Sequence, residues 1–134
     1  MYLLDTNVVS ELRRPRPHGD VLAWMNAVDD ARLFLSAVTI GEIQRGIEIT
    51  REANPARASE LLAWLAEVES AWNILPMTGA CFRRWANMMH RRPAIHALDA
   101  MIAATAAIHG LKVVTRNIRD FEPFGVEVIN PFAA

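Results

Sequence analysis

The fold of this chain is indicated by its opening stretch, Tyr2-Leu3-Leu4-Asp5-Thr6-Asn7-Val8-Val9-Ser10. Its apolar residues are enough for a short buried strand, and the Asp-Thr-Asn that follows is typical of the turn and helix cap that end one. Asp5 is therefore expected at the carboxyl end of a strand, the edge of an open α/β sheet at which ligands bind. A simpler role is also open, because Asp5 or Thr6 can cap the following helix.

Short apolar runs alternate with helical patterns along the rest of the chain. The runs that predict further strands are Leu33-Phe34-Leu35, Ile74-Leu75, Lys112-Val113-Val114 and Glu127-Val128-Ile129. Between the second and third of these runs, residues 94–108 are apolar on nearly every side, and Gly110 is expected to end that helix. The alternation predicts an α/β fold with a mostly parallel central sheet of four to five strands flanked by helices, in one domain of residues 1–134.

The composition describes a packed globule without bulk charge. Hydrophobic residues make up 52% of the chain and the formal net charge is -1, so the whole protein is not attracted to nucleic acid. All 14 basic residues except Lys112 are Arg, and several occur in pairs. Arg matches phosphate geometry well, although a solvated surface is the simpler explanation of each pair.

The single cysteine, Cys81, excludes an internal disulfide and indicates a reducing compartment. No secretion signal is recognisable at the start of the sequence, and the longest weakly polar run, residues 100–108, is too short to cross a bilayer. We therefore expect a cytoplasmic protein that does not contact membranes.

Four acids fall at comparable places in the predicted fold, next to strand ends or on the central helix: Asp5, Glu42, Asp99 and Asp120. Each has an ordinary alternative. Asp99 could cap its helix, Glu42 could pair with Arg45 on the surface, and Asp120 could occupy a turn or pair with its neighbour.

Together, the four acids indicate convergence on the carboxyl edge of one sheet, where unneutralised carboxylates raise one another's pKa values. Oxygen-rich sites of this kind are preferred by Mg²⁺ or Mn²⁺. Such a cation activates water and neutralises charge on a leaving oxygen, so the predicted chemistry is phosphodiester hydrolysis.

Four motifs carry a resemblance to a known family: Leu-Leu-Asp5-Thr-Asn, Thr39-Ile-Gly-Glu42-Ile-Gln-Arg-Gly46, Asp99-Met-Ile-Ala-Ala-Thr-Ala and Val-Thr115-Arg-Asn117 with Asp120-Phe121. In this order they resemble the PIN-domain ribonucleases, most closely the VapC and FitB-type toxins of prokaryotic toxin-antitoxin pairs. The resemblance covers essentially the whole chain. It implies a PIN-like fold and a Mg²⁺- or Mn²⁺-dependent endoribonuclease that cleaves tRNA, rRNA or mRNA. It also implies a homodimer and inhibition by a cognate antitoxin.

The resemblance also assigns site residues. Asp5, Glu42 and Asp99 match the three core acids, with Asp5 and Asp99 expected as direct metal ligands and Glu42 as a ligand or a water-orienting base. The fourth position is open between two residues. Many relatives have an acid where this chain has Asn117, whereas others have Asn there and an Asp three positions later, as at Asp120.

Polar residues around these acids complete the implied site. Thr6, Asn7 and Thr115 are expected to orient the ligands through hydrogen bonds. Arg116 and Arg119 flank the pocket and are candidates for holding RNA phosphates.

Two other functions are compatible with parts of the sequence. In the first, the chain acts mainly by binding, as the FitB-like component of a DNA-binding repressor complex that reaches operator DNA only through its antitoxin and has weak or specialised nuclease activity. In the second, Asp5 is a phosphoacceptor. A receiver-like domain would need a second acid near the first strand, and a haloacid-type phosphatase would need one at Asn7, so both phosphoacceptor classes are disfavoured.

Overall fold

The opening strand lies at the centre of a five-stranded parallel sheet in a computed structural model that describes residues 1–133. The strands are β1 (Tyr2–Leu4), β2 (Leu33–Ser36), β3 (Asn73–Leu75), β4 (Lys112–Val114) and β5 (Val128–Ile129). Their order across the sheet is β3-β2-β1-β4-β5, and every neighbouring pair is parallel. The predicted α/β class is confirmed.

Helices cover both faces of this sheet. They are α1 (Thr6–Leu12), α2 (Gly19–Ala27), α3 (Ala37–Ala53), α4 (Pro55–Ala71), α5 (Gly79–Met89), α6 (Ala97–His109) and α7 (Ile118–Phe121). Short 3-10 helices lie at Asp30–Arg32, Ala94–His96, Glu122–Phe124 and Pro131–Ala133. No helix in residues 1–133 is both long enough and apolar enough to cross a membrane.

The strand order creates a switch point beside β1. The chain moves outward from β1 through β2 and β3, then returns to the other side of β1 with β4. In this register, Leu4 lies opposite Leu35 in β2 and Val114 in β4, so the residues after these positions emerge together at one edge. Ligands bind at such a point in open α/β sheets. Asp5 and Thr115 are the residues that directly follow β1 and β4 there.

The alternation of side chains along β1 and β4 supplies both halves of the core. Leu3 and Val113 face the layer that contains α6, whereas Leu4 and Val114 face the layer of α3 and α4, and all four are fully buried. Burying one Leu side chain in this way stabilises the fold by about 1.5 to 3 kcal/mol. The two packed faces hold β1 rigidly, and the site begins at its end.

The apolar helix α6 places Asp99 at the same carboxyl edge of the sheet. The helix buries Ile102 and Ala103 completely and ends at Gly110, whose positive φ of 67° is the left-handed conformation that glycine adopts at helix ends. Asp99 lies in its first turn, at the end of the helix that faces the carboxyl edge of the sheet.

Candidate metal centre and active site

Asp5 has both carboxylate oxygens oriented by the protein. Its Oδ1 accepts a 2.8 Å bond from the Thr6 amide, and its Oδ2 accepts bonds from the Thr115 hydroxyl at 2.8 Å and from Asn7 Nδ2 at 3.2 Å. Asp5 is therefore the cap of α1 and also part of a wider polar network. Burial raises its pKa, the hydrogen bonds from Thr115 and Thr6 oppose that rise, and the charge of Asp120 adds to it.

Asn7 and Thr115 connect the ends of β1 and β4 around Asp5. Asn7 Nδ2 lies 3.1 Å from Thr115 Oγ1, and Asn7 Oδ1 accepts a 3.2 Å bond from the Arg116 amide. Thr115 Oγ1 also accepts a 3.0 Å bond from the Asn117 amide. The buried Thr115 hydroxyl thus fixes the loop after β4 against the carboxylate of Asp5.

Glu42 reaches the site from α3, which Ser36 caps at the end of β2. Its Oε1 accepts a 2.9 Å bond from the Thr6 hydroxyl, which also lies 3.1 Å from the hydroxyl of Thr39. Partial burial raises the pKa of Glu42, the Thr6 bond lowers it, and the negative charge of Asp5 raises it further. In residues 1–133 no ion pair joins Glu42 to Arg45, so the alternative of a surface pair is wrong.

The half-buried Asp99 has a raised pKa of about 6. Burial is the largest cause, followed by the negative charges of Asp5, Asp120 and Glu42, while His96 acts in the opposite direction. The alternative role of Asp99 as a helix cap is wrong, because His96 is the cap residue of α6 and Asp99 lies inside the first turn.

The two candidates for the fourth site residue lie on either side of the start of α7. Asn117 is the exposed cap residue of this helix but makes no capping bond with its side chain. Asp120 lies within the helix, is exposed, and contributes negative charge at both Asp5 and Asp99. Within residues 1–133 Asp120 forms no ion pair with Arg119, so that alternative is wrong.

Negative charge from neighbouring acids raises the pKa values of Asp5, Glu42 and Asp99, and none of the four acids forms an ion pair with Lys or Arg in the described part of the chain. Their oxygens are the donors that Mg²⁺ and Mn²⁺ prefer. The pKa values of Asp5, Glu42 and Asp99 are raised partly by neighbouring negative charge, so a bound cation would relieve existing repulsion. No three Asp, Glu, His or Cys side chains among residues 1–133 form a ready-made metal-binding group. The carboxylate oxygens of the four acids suit the cation chemically, but their side chains would have to move to surround it.

The two candidate phosphate-binding arginines have different surroundings. The Arg116 guanidinium lies 3.4 Å from the buried Glu11 and 3.8 Å from the ring centroid of Phe132. Arg119 is exposed, has no ion pair among the described residues, and lines a groove of about 400 Å³ with Asn117. Arg119 is therefore more accessible to a phosphate than Arg116.

Comparison with known proteins agrees with this architecture. The sequence model of the PIN domain family matches residues 2–124. The chain belongs to the PIN-domain family. Similar proteins include the VapC ribonuclease Y4jK of Sinorhizobium fredii, which is 36% identical over an alignment of 138 positions that covers 98% of each protein.

Two solved structures extend the comparison to three dimensions. The crystal structure of FitAcB from Neisseria gonorrhoeae superposes with a TM-score of 0.85 and 31% identity, and the match covers 100% of both chains. The structure of FitAB bound to an IR36 DNA fragment gives a TM-score of 0.76 at 31% identity, covering 100% of this chain and 97% of the other. These matches confirm the PIN-like fold and the resemblance to VapC and FitB-type toxins.

Two residues of this PIN domain that contact the site's polar network lie outside the motifs, Glu11 and Phe132, and Thr39 lies inside a motif that assigned it no role. Glu11 follows Asn7 by four positions on α1, a spacing that places both side chains on one face of the helix. That spacing was a usable signal for Glu11. The place of Phe132 depends on how the end of the chain folds back, which no local pattern encodes.

Proposed function

We propose that this chain is the toxin of a type II toxin-antitoxin pair and acts as a Mg²⁺- or Mn²⁺-dependent endoribonuclease. The observation that carries the proposal is the arrangement at the sheet edge, where Thr6 donates one hydrogen bond to Asp5 and another to Glu42. The charges of both acids also raise the pKa of the nearby Asp99. A cation bound there would activate water and neutralise charge on the departing oxygen of a phosphodiester. Two similar proteins are named VapC ribonuclease and Toxin FitB, which supports the proposed toxin and nuclease function.

Each acidic side chain of the site has its own role in this proposal. Asp5 and Asp99 would hold the cation, and the hydrogen bonds to Asp5 keep its carboxylate in place. Glu42 either binds the cation as well or accepts a proton from the attacking water, a role that suits a carboxylate with a raised pKa. Asp120 or Asn117 completes the site from the start of α7. Water would attack the phosphorus and pass its proton to Glu42 or to solvent. The bond to the departing ribose oxygen would break, and that oxygen would take a proton from solvent.

The test is cleavage of total cellular RNA by the purified wild-type protein with Mn²⁺ and with EDTA. Asp99→Asn should abolish metal-dependent cleavage, and the exposed Asp30→Asn is a matched control that should retain it. Discrete cleavage that needs both metal and Asp99 would establish the nuclease and give fragments that identify a tRNA, rRNA or mRNA target. Equal cleavage with EDTA, or by Asp99→Asn, would overturn the proposal.

The chain's partners follow from the same proposal. A cognate antitoxin would inhibit the toxin and carry it to operator DNA. The second part is supported by FitAB, which contains a chain similar to this one and is described as bound to a DNA fragment. A repressor complex with weak or specialised nuclease activity is the second candidate function, favoured by that same structure. Operator binding by the pair together with no RNA cleavage by the free toxin would favour it.

We also propose a homodimer formed beside the acidic edge. Ile95 is 85% exposed and Leu98 is 40% exposed, an apolar surface directly before Asp99. Ile95→Asp should shift the mass measured by light scattering toward the monomer. Ile49→Asp, at a residue 63% exposed elsewhere, is the matched control and should leave the mass unchanged. A mass that is the same for both variants would contradict this interface.

A further inference from the structure

Four residues form a closed ring of contacts behind the acidic site. Glu11 Oε1 lies 3.4 Å from Nη2 of Arg116, whose guanidinium stacks 3.8 Å from the ring centroid of Phe132. Phe132 meets the ring of His18 edge-on at 5.3 Å, and the His18 amide donates a 3.2 Å bond to Glu11 Oε2. The ring joins α1, the start of α2, the loop after β4 and the last 3-10 helix.

The charge at the centre of this ring needs its partners. Glu11 is only 5% exposed, and a buried carboxylate is costly unless it is paired and hydrogen-bonded. Arg14 approaches it at 3.9 Å from the solvent side, with 65% of its own side chain exposed. Arg116 is closer to the carboxylate, and its flat guanidinium is confined by the Phe132 ring as well.

The backbone of Arg116 connects this ring to the site. Its amide donates a 3.2 Å bond to Asn7 Oδ1, and Asn7 Nδ2 in turn faces Asp5 Oδ2 and Thr115 Oγ1. A side chain held by Glu11 and Phe132 therefore fixes the amide that orients Asn7. Without that restraint, the loop after β4 would lose its anchor on the side away from the acids.

We propose that Glu11, Arg116 and Phe132 form a clamp whose function is to hold Asn7 and Thr115 in place around Asp5, so that the end of the chain sets the affinity of the acidic site for its cation. Arg116 is then a positioning residue that acts through its backbone. The clamp's role in metal binding rests on the proposed nuclease function, whereas its effect on the loop does not.

The first experiment measures amide hydrogen exchange in the metal-free protein by NMR. Arg116→Gln should speed the exchange of the amides at 116 and 117, and Phe132→Leu, which keeps the apolar cover but loses the stacked ring, should act in the same direction. Arg14→Gln removes the other arginine near Glu11 and should leave both amides unchanged. Unchanged exchange in Arg116→Gln and Phe132→Leu would overturn the clamp.

The second experiment titrates the same variants with Mn²⁺ by calorimetry. Arg116→Gln should bind the metal about tenfold more weakly, as expected for the loss of an outer hydrogen-bonding partner. Arg116→Lys, which keeps the charge beside Glu11, should recover part of the affinity. Wild-type affinity in Arg116→Gln would refute the link to the site. No uptake of metal by the wild type would overturn the proposed function, and the exchange result would still decide whether the clamp exists.

Discussion

The hydroxyl of Thr115 donates a 2.8 Å hydrogen bond to Oδ2 of Asp5 across 110 positions of sequence. It joins the residues that directly follow β4 and β1, the two strands on either side of the switch point. The bond therefore orients one oxygen of the most buried acid of the site toward the protein.

Replacing this hydroxyl tests how much the orientation of Asp5 contributes. Thr115→Val keeps the shape of the side chain but removes the donor to Asp5 and the acceptor of the Asn117 amide. We expect Mn²⁺ affinity to fall at least tenfold and stability to fall by about 1 to 2 kcal/mol. Calorimetry and urea denaturation measure the two effects. The matched control is Thr50→Val, whose exposed hydroxyl bonds only to Gly46 O, and an equal loss of affinity in that variant would contradict the prediction.

Asp99 should make the metal-free protein less stable as the pH rises. Its pKa is raised from 3.8 to about 6, so between these values the folded chain holds more protons on this group than the unfolded chain. The free energy of unfolding should therefore fall as the pH rises through this range and stay low above it.

Asp99→Asn removes the loss of stability that the ionised carboxylate of Asp99 causes. At neutral pH the variant should melt roughly 3 to 5 °C above the metal-free wild type, which corresponds to about 1 kcal/mol after discounting for the solvent-exposed half of the carboxyl. The difference should shrink as the pH falls from about 6 to 3.8 and disappear well below 3.8, where the carboxyl is protonated in both states. Melting followed by circular dichroism across this pH range measures it. A variant that melts below the wild type at neutral pH would show that Asp99 has a structural role.

Much of the fold could be predicted because local signals mark where its elements begin and end. Asp5 caps α1, and Gly110 ends α6 in the left-handed conformation, as the sequence indicated. The order of the strands was not encoded locally, since strands of two to four residues carry no signal for their neighbours. The position of β1 between β2 and β4 emerges only when the helical layers pack.

Part of the site could likewise be predicted from the sequence, and part could not. Asp5 and Glu42 follow strands, so their approach to one edge could be argued from the topology of parallel sheets. The pairing of Glu11 with Arg116 spans 105 positions and depends on a loop conformation, so no motif predicted it. The motif-based assignment of Arg116 to RNA phosphates stays a prediction, but the structure places its guanidinium on Glu11 and Phe132.

Added Mg²⁺ or Mn²⁺ should raise the melting temperature of the wild type, because the cation binds the folded state and relieves the repulsion between the acids. At one hundred times the dissociation constant the gain is about 2.7 kcal/mol. The gain should shrink as the pH falls below about 6, because protons then compete with the cation for Asp99. Differential scanning fluorimetry over a range of pH checks this, with Asp30→Asn as a control that keeps the response. A full response in Asp99→Asn would place the metal elsewhere.

Arg119 should contribute to RNA binding without contributing to stability. It is exposed and has no ion pair in residues 1–133, and its groove is shared with Asn117 and Asp120 at the start of α7. Arg119→Gln should raise KM for RNA with little change in kcat, and it should reduce the slope of log affinity against log salt by about 0.7, the value for one contact to a single strand. Arg51→Gln is the matched control, because this arginine pairs with Glu48 near the end of α3 that lies away from the sheet edge. A salt slope that changes equally in both variants would mean that Arg119 acts only through net charge, whereas a change confined to Arg119→Gln identifies a phosphate contact beside the acids.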